Sequence, residues 1–188
     1  MDNTILDFKK RGAHLQLLWI GIGSICMFFA GLISIIFVDK MVFPKIPNWF
    51  LYSTIIIIFS SILLVLIKTR IKKDEPIFMM TSIVFLLGLF FAYFQFKGWG
   101  ELISNKIYFS GGAKESSLLY VLTGAHLAHL FAGLIALFIT TINTKKNRYK
   151  SSNYLGLELA SHYWHFLTLL WLCIFGFLKY NEYIEAII

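Results

Sequence analysis

The run from Leu157 to Leu178, LELASHYWHFLTLLWLCIFGFL, is apolar over the ~20 residues that a helix needs to cross a bilayer. Inside it stand Glu158, Ser161, His162, His165 and Thr168, which at helical periodicity fall within roughly a 120° arc. A charged group at the bilayer centre costs at least ~2.5–3.5 kcal/mol on insertion scales, so this stripe does not face lipid. The segment therefore demands a bundle, with other helices covering its polar face. The plainest use of such a face is hydrogen bonding between helices.

The rest of the chain supplies the neighbours. Apolar runs at about 15–38, 49–67, 77–96 and 117–142 precede the one at 157–178, which predicts an all-α polytopic membrane bundle of five transmembrane helices in a single domain, 1–188. Charged residues make up only 14% of the chain, where a soluble domain carries about 25%. All three prolines, Pro44, Pro47 and Pro76, fall between the runs, as regular helices require. The second run, rich in Ile, Leu and Phe, reads as lipid-facing filler, and 97–116 reads as the longest connection. The first run is too long for a signal-peptide core. Cys26 and Cys173 lie inside apolar runs, form no CxxC pair and read as small packing residues.

A net charge of +7 would point to nucleic acid in a soluble protein, but here its distribution matters more. Eleven of the seventeen Lys and Arg lie in the amino terminus, the 68–76 loop and the 143–156 loop. The positive-inside rule then predicts the amino terminus in the cytoplasm and the carboxyl terminus outside, with no nucleic-acid partner. Trp19, Trp49 and Trp99 sit at predicted helix ends, where an aromatic belt is expected.

Glu158 is the only acid in the five predicted spans, and no Lys or Arg accompanies it, which disfavours a pump, channel or transporter. Histidine is more prominent: His126 and His129 in the fourth helix, His162 and His165 in the fifth, each pair three residues apart and on one helix face. At ~1.5 Å per residue His129 and His165 sit roughly 20 Å and 12 Å from the inner surface, so both are near mid-depth. Three readings follow: hydrogen bonding within the bundle or to lipid headgroups, axial ligation of a b-type haem, or a di-iron centre, for which the ligands are too few. The fourth helix also carries rows of small residues, Gly124, Ala128, Ala132, Ala136 and Ala125, His129, Gly133, a usual helix-packing surface. These rows predict that the stripe of the fifth helix turns toward the fourth, with His129 and His165 within reach. Glu158 is expected to bond His162, a neighbouring subunit or a lipid headgroup.

The densest pattern runs from Gln95 and Trp99 through TGAHLAHLFAG (Thr123–Gly133) to Glu158, Tyr163-Trp164-His165-Phe166 and Trp171. In it the chain resembles the cytochrome c oxidase subunit III family of haem-copper terminal oxidases, in its short five-helix form. The resemblance implies a non-catalytic subunit of a bacterial inner-membrane respiratory complex, with haem and copper in partner subunits. It implies packing on catalytic subunit I and other oxidase subunits, contact with phospholipids, and support of sustained proton-coupled oxygen reduction. Catalytic, cofactor and metal residues are then none. His126, His129, Glu158, His162, Tyr163, Trp164, His165 and Trp171 become structural residues contacting lipid or subunits. The chain departs from the family at Ile25 and Thr168, where many members carry carboxylates, so roles of those acids do not transfer. The alternative from the residues alone is a b-type membrane cytochrome using His126 or His129 with His162 or His165.

Overall fold

Uninterrupted apolar runs without internal proline leave the backbone no low-cost state in a bilayer except the helix. The computed structural model describes residues 3–39, 41, 43–110, 113–151 and 153–185, with side chains placed among them from 11 to 183. Five helices account for most of these: α1 (Asn3–Val38), α2 (Asn48–Ile71), α3 (Phe78–Ser104), α4 (Lys114–Lys145) and α5 (Leu155–Glu185). Each contains a stretch long and apolar enough to cross a membrane, and no named strand occurs among the described residues.

The helices outrun the apolar segments that nucleate them. α3 continues through Lys97–Ser104, which shrinks the 97–116 connection to a short loop, and α5 runs past Leu178 to Glu185. α2, α3 and α4 stop in one common way. Asp74, Lys106 and Asn147 each adopt positive φ (55°, 63° and 51°). The next residue in each case bonds five residues back: Glu75 to Arg70, Ile107 to Leu102 and Arg148 to Asn143. This is the Schellman closure, here made at three non-glycine residues, so no glycine marks the stop.

α2, α3, α4 and α5 form a ring in which each helix packs on the next and α5 closes back on α2. α1 lies outside it and contacts only α4 and α5 among the described helices. Across the ring, α3 and α5 are diagonal and are joined by side chains. Trp164 of α5 reaches α3 at Gly88, where a Cβ would come within 2.7 Å of its ring. Gly98 likewise gives way to Phe50 of α2, which a Cβ would meet at 2.9 Å. Trp164, Trp171, Phe50 and Phe91 are fully buried in the centre.

Alternation of direction along the chain puts the 72–77 and 146–154 loops at one end of the bundle. They are tied there: the Ser151 backbone N–H and hydroxyl donate to Asp74 at 2.7 and 2.8 Å. Those two bonds, with help from Lys150, hold the exposed Asp74 carboxyl below its usual range. At the other end the Ile46 backbone N–H donates to Glu182 Oε2 at 3.4 Å. The ends of α1 and α5 that carry the termini therefore lie at opposite ends of the bundle.

Candidate functional site

The polar stripe of α5 does not turn as a unit toward α4. It is divided between α2, α1 and its own backbone. His165 Nδ1 meets Ser61 Oγ of α2 at 2.6 Å. Glu158 pairs with Arg11 of α1 at 2.6 Å, with the carboxylate side chain 13% exposed and the guanidinium 46%. His162 bonds the Glu158 carbonyl at 2.8 Å through Nδ1 and faces Trp19 of α1, ring centroids 6.3 Å apart. The Thr168 hydroxyl donates to the Trp164 carbonyl, and Ser161 is buried. A 120° arc is wide enough to address two neighbouring helices at once, which is why it splits.

The larger correction concerns α2. It is the chief polar partner in the ring and not filler. Trp164 Nε1 donates to Ser60 Oγ at 2.9 Å, and Trp171 Nε1 to Thr54 Oγ1 at 2.8 Å. Gln95 Nε2 of α3 donates to Ser53 Oγ at 3.0 Å. On the other side of α3, Trp99 Nε1 donates to Thr123 Oγ1 of α4 at 3.1 Å. The four hydroxyls work alike. Each spends its proton on a carbonyl of its own helix, Ser60 on Ile57, Thr54 and Ser53 on Phe50, Thr123 on Leu119. A lone pair is then left to accept an N–H from the next helix, so both groups are satisfied without water. The sequence carries a signal: the two bonded hydroxyls, Thr54 and Ser60, are six residues apart on α2, and Trp164 and Trp171 are seven apart on α5. Similar intervals on antiparallel helices, about two turns each, let both pairs meet.

α4 and α5 are neighbours, as their loop implied, and Tyr163 donates its hydroxyl to the His129 carbonyl at 3.2 Å. His129 and His165, expected within reach directly or through a third group, are joined directly by no hydrogen bond or ring contact among the described residues. His129 Nδ1 bonds the Ala125 carbonyl at 2.7 Å, and its ring meets Phe29 of α1 at 5.8 Å. His126 is fully buried between Trp171 and Phe91, at centroid distances of 5.0 and 5.8 Å. The four histidines of α4 and α5 thus point to four different surroundings and form no facing pair for axial ligation. Among the described residues no three His, Cys, Asp or Glu side chains converge to hold a metal.

The small-residue rows on α4 also divide. Gly133 packs on α5, where a Cβ would meet Leu167 at 3.0 Å and Trp164 at 3.3 Å. Ala132 and Ala136 instead line a groove beside α1, about 380 Å³, completed by Leu18, Leu159, Ala160 and Tyr163. A second groove of about 380 Å³ lies between α1 and α4 at the other end, lined by Leu32, Ile35, Met41, Leu118 and Val121 with Lys114 at its edge.

The family model described as cytochrome c oxidase subunit III matches residues 45–183, from just before α2 to near the end of α5. A cytochrome bo(3) ubiquinol oxidase subunit 3 from Buchnera aphidicola is 28% identical, with 96% of each chain covered. A cytochrome c oxidase subunit 3 from Corynebacterium diphtheriae is 25% identical over 79% of this chain and 78% of its own. A probable cytochrome c oxidase subunit 3 from Mycobacterium bovis is 31% identical over 50% of this chain and 45% of its own.

Proposed function

The chain belongs to the cytochrome c oxidase subunit III family, and from that premise we propose that it is the non-catalytic packing and lipid-contacting subunit of a bacterial respiratory oxidase. Its coarser identity is that of a multi-pass membrane subunit III of a haem-copper oxidase, one chain of a multi-subunit complex. In the finer reading it packs on catalytic subunit I, haem and copper reside in partner subunits, and it supports sustained proton-coupled oxygen reduction. Relatives are named for complexes oxidising either ubiquinol or cytochrome c. We accordingly assign the donor site to another subunit.

The observation that carries this reading is the use made of the polar side chains. Trp164, Trp171, His165 and Glu158 are spent joining α5 to α2 and α1. Groups committed in this way hold a bundle together and are poorly placed to relay electrons. Lipid contact is supported by the two grooves beside α1, which are mainly apolar, the one near Leu32 and Val121 with Lys114 at its edge. The charge asymmetry supports an amino terminus in the cytoplasm, and five apolar helical spans fit the bacterial inner membrane.

Membranes from cells lacking this chain test the reading. They are expected to keep the oxidase's haem bands and its initial oxygen consumption, and to lose activity sooner during turnover. Immediate loss of electron transfer in an otherwise assembled complex would overturn it. So would a Soret band that stays with the isolated polypeptide.

A further inference from the structure

Three of the four histidines in α4 and α5 have a polar partner for a ring nitrogen: Ala125 carbonyl for His129, Glu158 carbonyl for His162, Ser61 hydroxyl for His165. His126 is the exception. It is fully buried, and neither Nδ1 nor Nε2 has a partner among the described residues. A neutral imidazole carries one N–H donor and one acceptor, and leaving both unmade inside a bundle is costly.

A second unpartnered atom lies at the same height of the ring. Gln95 is fully buried, and its Oε1 has no partner among the described residues. Contacts on either side of it fix its level against α4. Phe91, one turn earlier on α3, touches the His126 ring, and Trp99, one turn later, bonds Thr123, one turn before His126. The amide's orientation is also fixed. Ser53 has already given its proton to the Phe50 carbonyl, so it can only accept, and Gln95 must offer it the NH₂. The carbonyl oxygen of Gln95 is thereby the atom left over, buried and without a partner among the described residues.

We propose that one buried water molecule binds between His126 and Gln95 Oε1 and bridges α4 to α3. Water is the ligand this pair calls for. It donates to the amide oxygen and, depending on the imidazole tautomer, accepts from the N–H or donates to the bare nitrogen. The aromatic walls, Trp171 and Phe91, shield the site from lipid. At this height all four ring helices contribute, α2 through Ser53 and Thr54, α3 through Gln95, α4 through His126 and α5 through Trp171.

The test is a density map of the whole oxidase complex at a resolution that shows ordered water. A peak is expected within about 2.7–3.2 Å of both a His126 ring nitrogen and Gln95 Oε1. A direct His126–Gln95 bond, or close packing with no peak, overturns the proposal. His126→Phe, Gln95→Leu and the double variant supply a second readout: the fraction of this chain retained in the purified complex. Each single change strands the other partner, so the double variant is expected to retain more than the product of the two single fractions. Retention equal to that product overturns the bridge.

Discussion

The ring of α2–α5 and the outlying α1 are held by different kinds of contact. In the ring, N–H groups of Trp164, Trp171 and Gln95 meet buried hydroxyls on α2, and glycines at 88 and 98 are hollowed to fit Trp164 and Phe50. α1 is held by an ion pair half open to solvent and by ring-edge contacts of Trp19 and Phe29. Only 17% of its apolar span is buried, against 44% in α5. The family model begins at residue 45 and so covers the ring but not α1. Shape and paired polar groups fix the ring by itself, whereas α1 leaves most of its surface for lipid or another chain. Lipid is as apolar as a leucine, so burial does not drive this assembly, and fit and hydrogen bonds carry it.

The largest expected effect comes from emptying the ring. Trp164→Ala removes the side chain that spans from α5 to Gly88, and a cavity of that kind costs about 3–5 kcal/mol. This chain should be lost from the complex purified in mild detergent. A truncation on the outward face of α1, Met27→Ala, should leave it in place, since Met27 is 79% exposed.

Next comes the bond itself. Ser60→Ala leaves the Trp164 N–H without its acceptor. In a cycle with Trp164→Phe the coupling should fall between the membrane average of ~0.6 kcal/mol and its upper end of ~1.7 kcal/mol. Zero coupling would mean that packing alone holds the ring. Arg11→Ala should cost less, about 0–1 kcal/mol, and the loss should shrink as salt is added, because this pair is screened. Release of α1 after cleavage behind Val38, followed across a salt series, would report it.

The smallest effect concerns pH at the loops of the ring. Asp74 has a lowered folded-state value because Ser151 bonds the carboxylate. Its contribution is complete above the ordinary Asp value of about 3.9 and is lost as pH falls through the lowered value. Amide exchange at Ser151 should accelerate over that acid window, and Asp74→Asn should abolish the dependence.

How much of this was legible follows from what each feature writes into sequence. Five spans were readable because apolar length is a one-dimensional property. Helix ends were not, because Asp74, Lys106 and Asn147 close their helices where a glycine is the usual marker. Lys106→Gly should be neutral or slightly favourable for the same reason. The stripe on α5 was readable as a face to be covered, but not its division, since Glu158 and His165 reach different helices from one arc. The role of α2 was written in Ser53-Thr54 and Ser60-Ser61, and it was masked by the isoleucines around them. Only the two-turn interval between Trp164 and Trp171, close to that between Thr54 and Ser60, hints that the hydroxyls are paired.

Cutting the chain after Val38 tests the division between ring and α1 most directly. A protease site inserted there, where Val38 is 79% exposed, severs α1 from the ring in the purified protein in mild detergent. At raised salt α1 is expected to separate, while residues 39–188 remain a folded unit with unchanged emission from its four tryptophans, Trp49, Trp99, Trp164 and Trp171. Co-migration of α1 with the ring under those conditions, or unfolding of the ring once α1 departs, would contradict the account.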